Sequence, residues 1–418
     1  MKKIVVLLVV MMALFSLTAC SADEEPVAVP KSLVIFQNKV EIDEVMRTYA
    51  EAWGAKNDVT VTLKTCGGDS CAYGTQILAE FQANEQPDVF VIEGMGGYNI
   101  YKDKILDLNG STWTGDTELE FVVDGTVFGF PVAVEGWGMA YNKEILDAAG
   151  VDVVALEDVS QAEYEEVFKK IQAYYDANGM DDYVVVSMAA GAGMHWVTGL
   201  HNFNGYLSAG LDYSDSTVID KLNNKEVDTD RLNQLANWAE LLFTYGDKTI
   251  LTTGTYDDQV GTFAKGKAAF VHQGNWTDSS YADSKFEMGY LPHATMTEGN
   301  DKIFIGAPSY YVVNKDSANT DVAKMFLEDL AASAEGHDYM VNQANMVPAF
   351  NSVTLTPKTP LSAAVMKWNQ AGKAYAWWQN DMPSDFGMGT LGPIYELFAK
   401  GEITKDQFIS QVTAAIKQ

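Results

Sequence analysis

The feature that most restricts the fold is an early alternation of short apolar runs with amphipathic ones. Residues 33–36 are apolar and end at Gln37, Asn38 and Lys39, and residues 40–53 then carry acidic, helix-spaced positions. Residues 58–64 alternate as a strand, residues 73–84 return to helical spacing, and residues 87–92 form a buried-strand pattern opening into Glu93-Gly94-Met95-Gly96-Gly97-Tyr98. That β-α-β-α-β order predicts an α/β fold with a mainly parallel sheet covered by helices. Ligands of such sheets sit beyond the carboxyl ends of the strands, where Gln37 to Lys39 and Glu93 fall.

The pattern recurs further along. Residues 126–131 and 132–141 read as strand and lead into a helix over 143–149, while 160–177 is an acidic amphipathic helix before a strand at 183–188. A long helix is expected at 228–245, strands at 267–272 and 303–313, a helix at 321–332, and helical spacing from residue 361 onward. At 418 residues the chain is long enough for two lobes. The composition, 47% hydrophobic and 20% charged, excludes disorder as the main state. A net charge of -29 excludes a phosphate-tracking nucleic-acid binder, which needs clustered cations.

The first residues read as an address. Lys2 and Lys3 precede an apolar run from Ile4 to Phe15, too short for a membrane span, and Leu17-Thr18-Ala19-Cys20 follow, so residues 1–19 are expected to be a signal peptide. The end of this segment resembles a bacterial lipobox, which implies lipidation of Cys20 and anchorage outside the cytoplasm, with residues 20–31 as a tether. Cys66 and Cys71 are the remaining cysteines; in an oxidising compartment they either close a Gly-rich loop as a disulfide or stay as free thiols. The histidines His195, His201, His272, His293 and His337 show no ligand spacing, and no metal or cofactor is expected.

Trp137, Trp196, Trp276, Trp377 and Trp378 fall where strands or glycine turns end. A pyranose face packs its C–H groups on such rings while carboxylates and amides take its hydroxyls; filling the core is the competing use. Glu93 and Glu135 stand beside glycines at strand ends. Two convergent carboxylates serve either glycoside hydrolysis or hydrogen bonding to sugar hydroxyls. In Tyr310-Tyr311, neighbouring strand residues face opposite ways, so one belongs to the core.

Residues 129–143, Gly-Phe-Pro-Val-Ala-Val-Glu-Gly-Trp-Gly-Met-Ala-Tyr-Asn-Lys, resemble the central strand of the extracellular solute-binding proteins of ABC importers, in the carbohydrate group that includes the maltose receptors. Pro87-Asp88-Val89 with Gly96-Gly97-Tyr98, residues 263–276 ending in Gly274-Asn275-Trp276, and Ile305-Gly306-Ala307-Pro308 agree in order. The resemblance implies a non-enzymatic receptor that holds an oligosaccharide between two lobes and passes it to a membrane permease. It puts Glu135, Trp276 and Trp377 or Trp378 at the sugar, with Asn38 and Lys39 after the first strand, Glu93 in a shortened loop, and His195-Trp196 in a covering loop. Trp137, Asn275 and Tyr310 complete the candidate set. The first lobe is expected at 32–134 and 301–350, the second at 139–298 and 356–418. Hinge crossings are expected near 131–138, 290–302 and 350–357, in a monomer.

Overall fold

The computed structural model describes residues 31–67 and 71–418. The expected signal peptide, Cys20 and nearly all of the tether lie outside the described residues. Among the described residues twelve strands run in chain order: β1 (Lys31–Gln37), β2 (Val59–Thr65), β3 (Val89–Ile92), β4 (Phe121–Val123), β5 (Thr126–Pro131), β6 (Glu135–Asn142), β7 (Val184–Ser187), β8 (Ala268–Gly274), β9 (Met288–Leu291), β10 (Ile303–Gly306), β11 (Tyr310–Val313) and β12 (Ala374–Tyr375). They form two six-stranded sheets. The first has the order β2-β1-β3-β11-β5-β4; the second runs β12-β10-β6-β8-β7, with β9 also on β6.

The α/β class and the two lobes are as expected, but both sheets are mixed. β1 is parallel to β2 and β3, whereas β11 runs antiparallel to both its neighbours, β3 and β5. In the second sheet β6 is antiparallel to β8, β9 and β10. Strands that follow a crossing from the other lobe enter without a covering helix in between, and nothing then forces them parallel.

The chain first passes between the sheets at residues 132–134. It returns at residues 307–309, not near 290–302: β10 still pairs with β6, register Gly306 to Glu135, before β11 joins β3. The expected single strand over 303–313 is therefore two strands in two sheets. Pro308 lacks an N–H for a ladder, so the break falls beside it. A third passage follows the turn Tyr339–Gln343, which packs on the first-lobe helix Asp43–Asn57, and ends at the helix Pro360–Gln370, which packs on β9 and β6. Beyond that helix, residues 374–375 form β12 in place of continuous helix.

Helices cover the sheets through apolar stripes. Asp43–Asn57 buries Met46, Tyr49, Ala50 and Trp53. In the second lobe, Gln161–Asn178 buries Tyr164, Phe168, Ile171 and Tyr175, and opens with a Ser160/Glu163 capping box. Cys66 and Cys71 are joined as a disulfide, with Cα atoms 5.2 Å apart. The Cys66 N–H donates to the Gln37 carbonyl at 3.0 Å, so the closed loop abuts the end of β1.

Candidate functional site

The end of β1 delivers Asn38 and Lys39 to the gap between the lobes. Lys39 forms an ion pair with Glu135, the first residue of β6, and thereby ties the two sheets together. Asn38 Nδ2 donates to Glu93 Oε1 at 2.9 Å, joining the ends of β1 and β3. Burial pulls the Lys39 ammonium toward neutrality, but Glu135, Glu41 and Glu93 outweigh it and raise its pKa. Glu41 and Glu93 keep solvent contact, yet the surrounding protein desolvates both carboxylates enough to push their pKa values up; Lys39 partly offsets this.

Opposite these groups lies an aromatic floor built wholly from the second lobe. Trp276 is 6.2 Å from Trp196 and 6.3 Å from Trp377, centroid to centroid. His201 fills the middle, 5.1 Å from Trp276, 5.3 Å from Trp196 and 5.6 Å from Trp377. Trp276 follows β8, and its Nε1 donates to Gln273 Oε1 at 3.0 Å. Gln273 in turn donates to Gln259 Oε1 at 2.9 Å, so the ring is held by a buried amide chain. The first-lobe turn Val40–Ile42 packs against the segment Asn275–Tyr281, which brings Lys39 to this floor.

Trp137 is fully buried beneath the floor. It stacks 4.0 Å from Phe304 on one side and 5.5 Å from His201 on the other, so it supports the site and offers no open face. Asn275 is also structural: Oδ1 accepts from the Gly136 N–H at 2.9 Å and Nδ2 donates to Ser362 at 3.1 Å, which fixes the start of β6. His195 turns away and bonds Glu396 at 2.8 Å. Trp378 donates to the Asp215 carbonyl at 3.0 Å, which leaves Trp377 as the floor member of that pair. Tyr311 is the core member of the tyrosine pair, donating to Gln37 Oε1 at 2.7 Å, while Tyr310 packs 5.2 Å from Phe121 inside the first lobe. Of the twelve candidates the structure brings Asn38, Lys39, Glu93, Glu135, Trp196, Trp276 and Trp377 together.

His201 is the residue that sequence reasoning missed as a site member. Residues Trp196–Asn202 form a π-helical segment, whose i→i+5 bonding brings positions five apart onto one face. Trp196 and His201 are five apart, a spacing that α-helical periodicity sends to different faces. Burial, and the charges of His272 and Lys39 when these are protonated, hold His201 well below the usual imidazole range, so it is neutral. Below it, Trp238 Nε1 donates to His293 Nε2 at 2.7 Å, and His293 Nδ1 lies 2.7 Å from Thr295 Oγ1. His293 thus accepts at Nε2 and carries its proton on Nδ1, and His272 Nε2 lies 3.1 Å from His293 Nε2.

The lobes also touch beyond the floor. Gly94, at the start of the helix Gly94–Tyr101, lies against Asn380, and Asn380 Nδ2 donates to the Pro308 carbonyl at 3.1 Å. Burial pushes the neighbouring Asp381 carboxyl up to about 6, opposed in part by the Met95 backbone N–H of the other lobe. A surface cavity of about 330 Å³ between Phe243, Lys248, Phe398 and Lys400 is lined by none of these residues. Its ammonium groups are already engaged, Lys248 with the Phe243 carbonyl and Lys400 with Glu396.

A family model described as a bacterial extracellular solute-binding protein matches residues 48–367. Maltodextrin-binding protein MdxE of Bacillus subtilis is 26% identical over 366 residues, covering 84% of this chain and 82% of the relative. The melibiose/raffinose/stachyose-binding protein MelE of the same species is 24% identical over 351 residues, covering 77% and 75%. Among solved structures, the ABC substrate-binding protein Lmo0181 of Listeria monocytogenes, in complex with cycloalternan, superposes with a TM-score of 0.70 at 16% identity, over 93% of this chain and 98% of that one. With a family match over most of its length and the same two-lobed fold, this chain belongs to the bacterial extracellular solute-binding proteins.

Proposed function

We propose that the protein is an extracytoplasmic carbohydrate receptor, which closes on an oligosaccharide between its lobes and delivers it to the permease of an ABC importer. The observation that carries this reading is the floor of Trp196, Trp276 and Trp377 facing Lys39, Glu93 and Glu135 across the gap. Stacked rings take the apolar faces of successive sugar units, and carboxylates, the amide and the ammonium take their hydroxyls. Three rings exceed what one monosaccharide covers, so the ligand has more than one unit. The names of MdxE and MelE, both receptors for oligomeric sugars, support the same class.

The role is binding without bond cleavage, in line with the binding-protein names of these relatives. Opening and closing would use the three passages between the sheets as hinges, with ligand shifting the population toward closure. We read Cys20 as the lipid-bearing anchor and the receptor as a monomer. The test is a thermal-shift screen of residues 21–418 against soluble glycans. A specific oligosaccharide at a hundredfold excess over Kd stabilises by about 2.7 kcal/mol. A rise in Tm with chain length up to two or more units is expected; an affinity already maximal for a monosaccharide, or no shift with any glycan, refutes the reading.

A further inference from the structure

We propose that His201 is the specificity-determining hydrogen-bonding group of this site, reading a ligand hydroxyl from the middle of the tryptophan floor. The inference rests on the carbohydrate reading above. The side chain is 6% exposed, and its Nδ1 is enclosed with no hydrogen-bond partner. Among the described residues Nε2 has no protein partner either, although His272 and His293, which pack on Trp137, are linked to each other, to Trp238 and to Thr295.

An enclosed ring nitrogen without a partner is costly, and a phenyl ring would fill the same cage without that cost. What the imidazole adds is one N–H and one lone pair at a point where the rings around it offer only π-faces. It stacks on Trp137 and meets Trp196 and Trp377 edge to face, so its orientation is fixed before any ligand arrives. Burial, supported by the charges of His272 and of Lys39 in the other lobe when these are protonated, opposes its protonation and keeps it a neutral partner for a hydroxyl. A site built around such a group rejects an analogue that lacks the hydroxyl far more strongly than a purely stacking floor would, because the ring then stays unpaired.

The experiment is calorimetric titration of the full mature chain with maltotriose, maltotetraose, raffinose and stachyose. Wild type, His201→Phe and His201→Gln are compared, with unfolding curves for each. His201→Phe keeps the packing and should lose about tenfold or more in affinity for the best of the four sugars; His201→Gln, which restores a donor and an acceptor, should recover part of it. In parallel, ¹⁵N chemical shifts of the His201 ring are followed in the wild-type protein as that sugar is added, which needs no folded variant. A change at one ring nitrogen supports the proposal. Equal affinity of His201→Phe and wild type, or ring shifts unmoved by sugar, overturns it while leaving the receptor reading intact. No binding by wild type to any of the four removes both.

Discussion

Adding one methyl group at Gly274 tests whether Trp276 is a ligand platform. Gly274 has φ -104° and ψ -178°, an extended conformation open to any residue, so Gly274→Ala adds no backbone strain. The new Cβ would stand 2.0 Å from Cζ3 and 2.2 Å from Cη2 of Trp276, against an ordinary contact of 3.4 Å or more. The ring must therefore swing by about 1.4 Å at its outer edge, away from the position that its bond to Gln273 sets. A sugar face covering roughly 60 Å² of that ring contributes about 1.5 kcal/mol at 25 cal/mol/Å², so the expected loss is about tenfold in Kd. Gly274 ends β8 opposite Trp137 and that pairing is kept, so the chain still folds, while displacing the packed ring costs roughly 1–3 kcal/mol and lowers the unfolding midpoint in urea correspondingly. Calorimetry with the best sugar of the glycan screen reads the first number, and tryptophan fluorescence the second. Gly274→Ala with unchanged sugar affinity would refute the platform.

Two further predictions concern closure and pH. Gly94 has φ +52°, and a Cβ there would lie 2.5 Å from Asn380 Cβ in the opposite lobe, so Gly94→Ala should hold the lobes apart and lower sugar affinity; small-angle scattering of the sugar-loaded variant should show a larger radius of gyration than wild type, and equal radii and affinities would refute this. His272 is held at about 4 by burial against an ordinary 6.5, so its stabilising contribution is complete above pH 6.5 and is lost as pH falls toward 4. Between pH 7.5 and 4.5 that loss is about 2.5 kcal/mol, and His272→Gln should show a urea-unfolding pH dependence weaker by about that amount; identical curves would rule out a buried neutral imidazole.

Which parts of this were readable in advance follows from what each residue needs. The β-α-β-α-β opening is local: apolar runs with helical spacing between them place Asn38, Lys39 and Glu93 at strand ends whatever the rest of the chain does. Trp276 and Glu135 could be placed from the blocks around them. Trp137 could not, because whether a ring at a strand end is platform or core depends on Phe304 and His201, which reach it from segments far away in sequence. Asn275 failed for the same reason, since its amide is used by Gly136 and Ser362. The double strand at 303–313 was read as one strand, because both halves are apolar and only their pairing partners show that they join different sheets. His201 escaped because a π-helical segment departs from the periodicity by which helical faces are read.

The division of the site between lobes assigns its members different tasks. Trp196, Trp276, Trp377 and His201 all belong to the second lobe, so a sugar lying on them makes those contacts whether the molecule is open or closed. Contacts equal in both states raise affinity but shift no equilibrium. On the receptor reading, closure must come from groups that reach the sugar only when the lobes meet, for which Asn38, Lys39 and Glu93 of the first lobe are the candidates. The surrounding protein desolvates Glu41 and Glu93 enough to raise their pKa values, and hydroxyl donors from a sugar would offset that cost. Glu93→Gln should therefore leave initial sugar capture on the floor nearly intact while reducing the closed fraction, and Trp276→Ala should do the reverse. Single-molecule distance measurements between labels on the two lobes, at saturating sugar, separate the two: a Glu93→Gln protein that closes as fully as wild type would show that closure is driven from elsewhere.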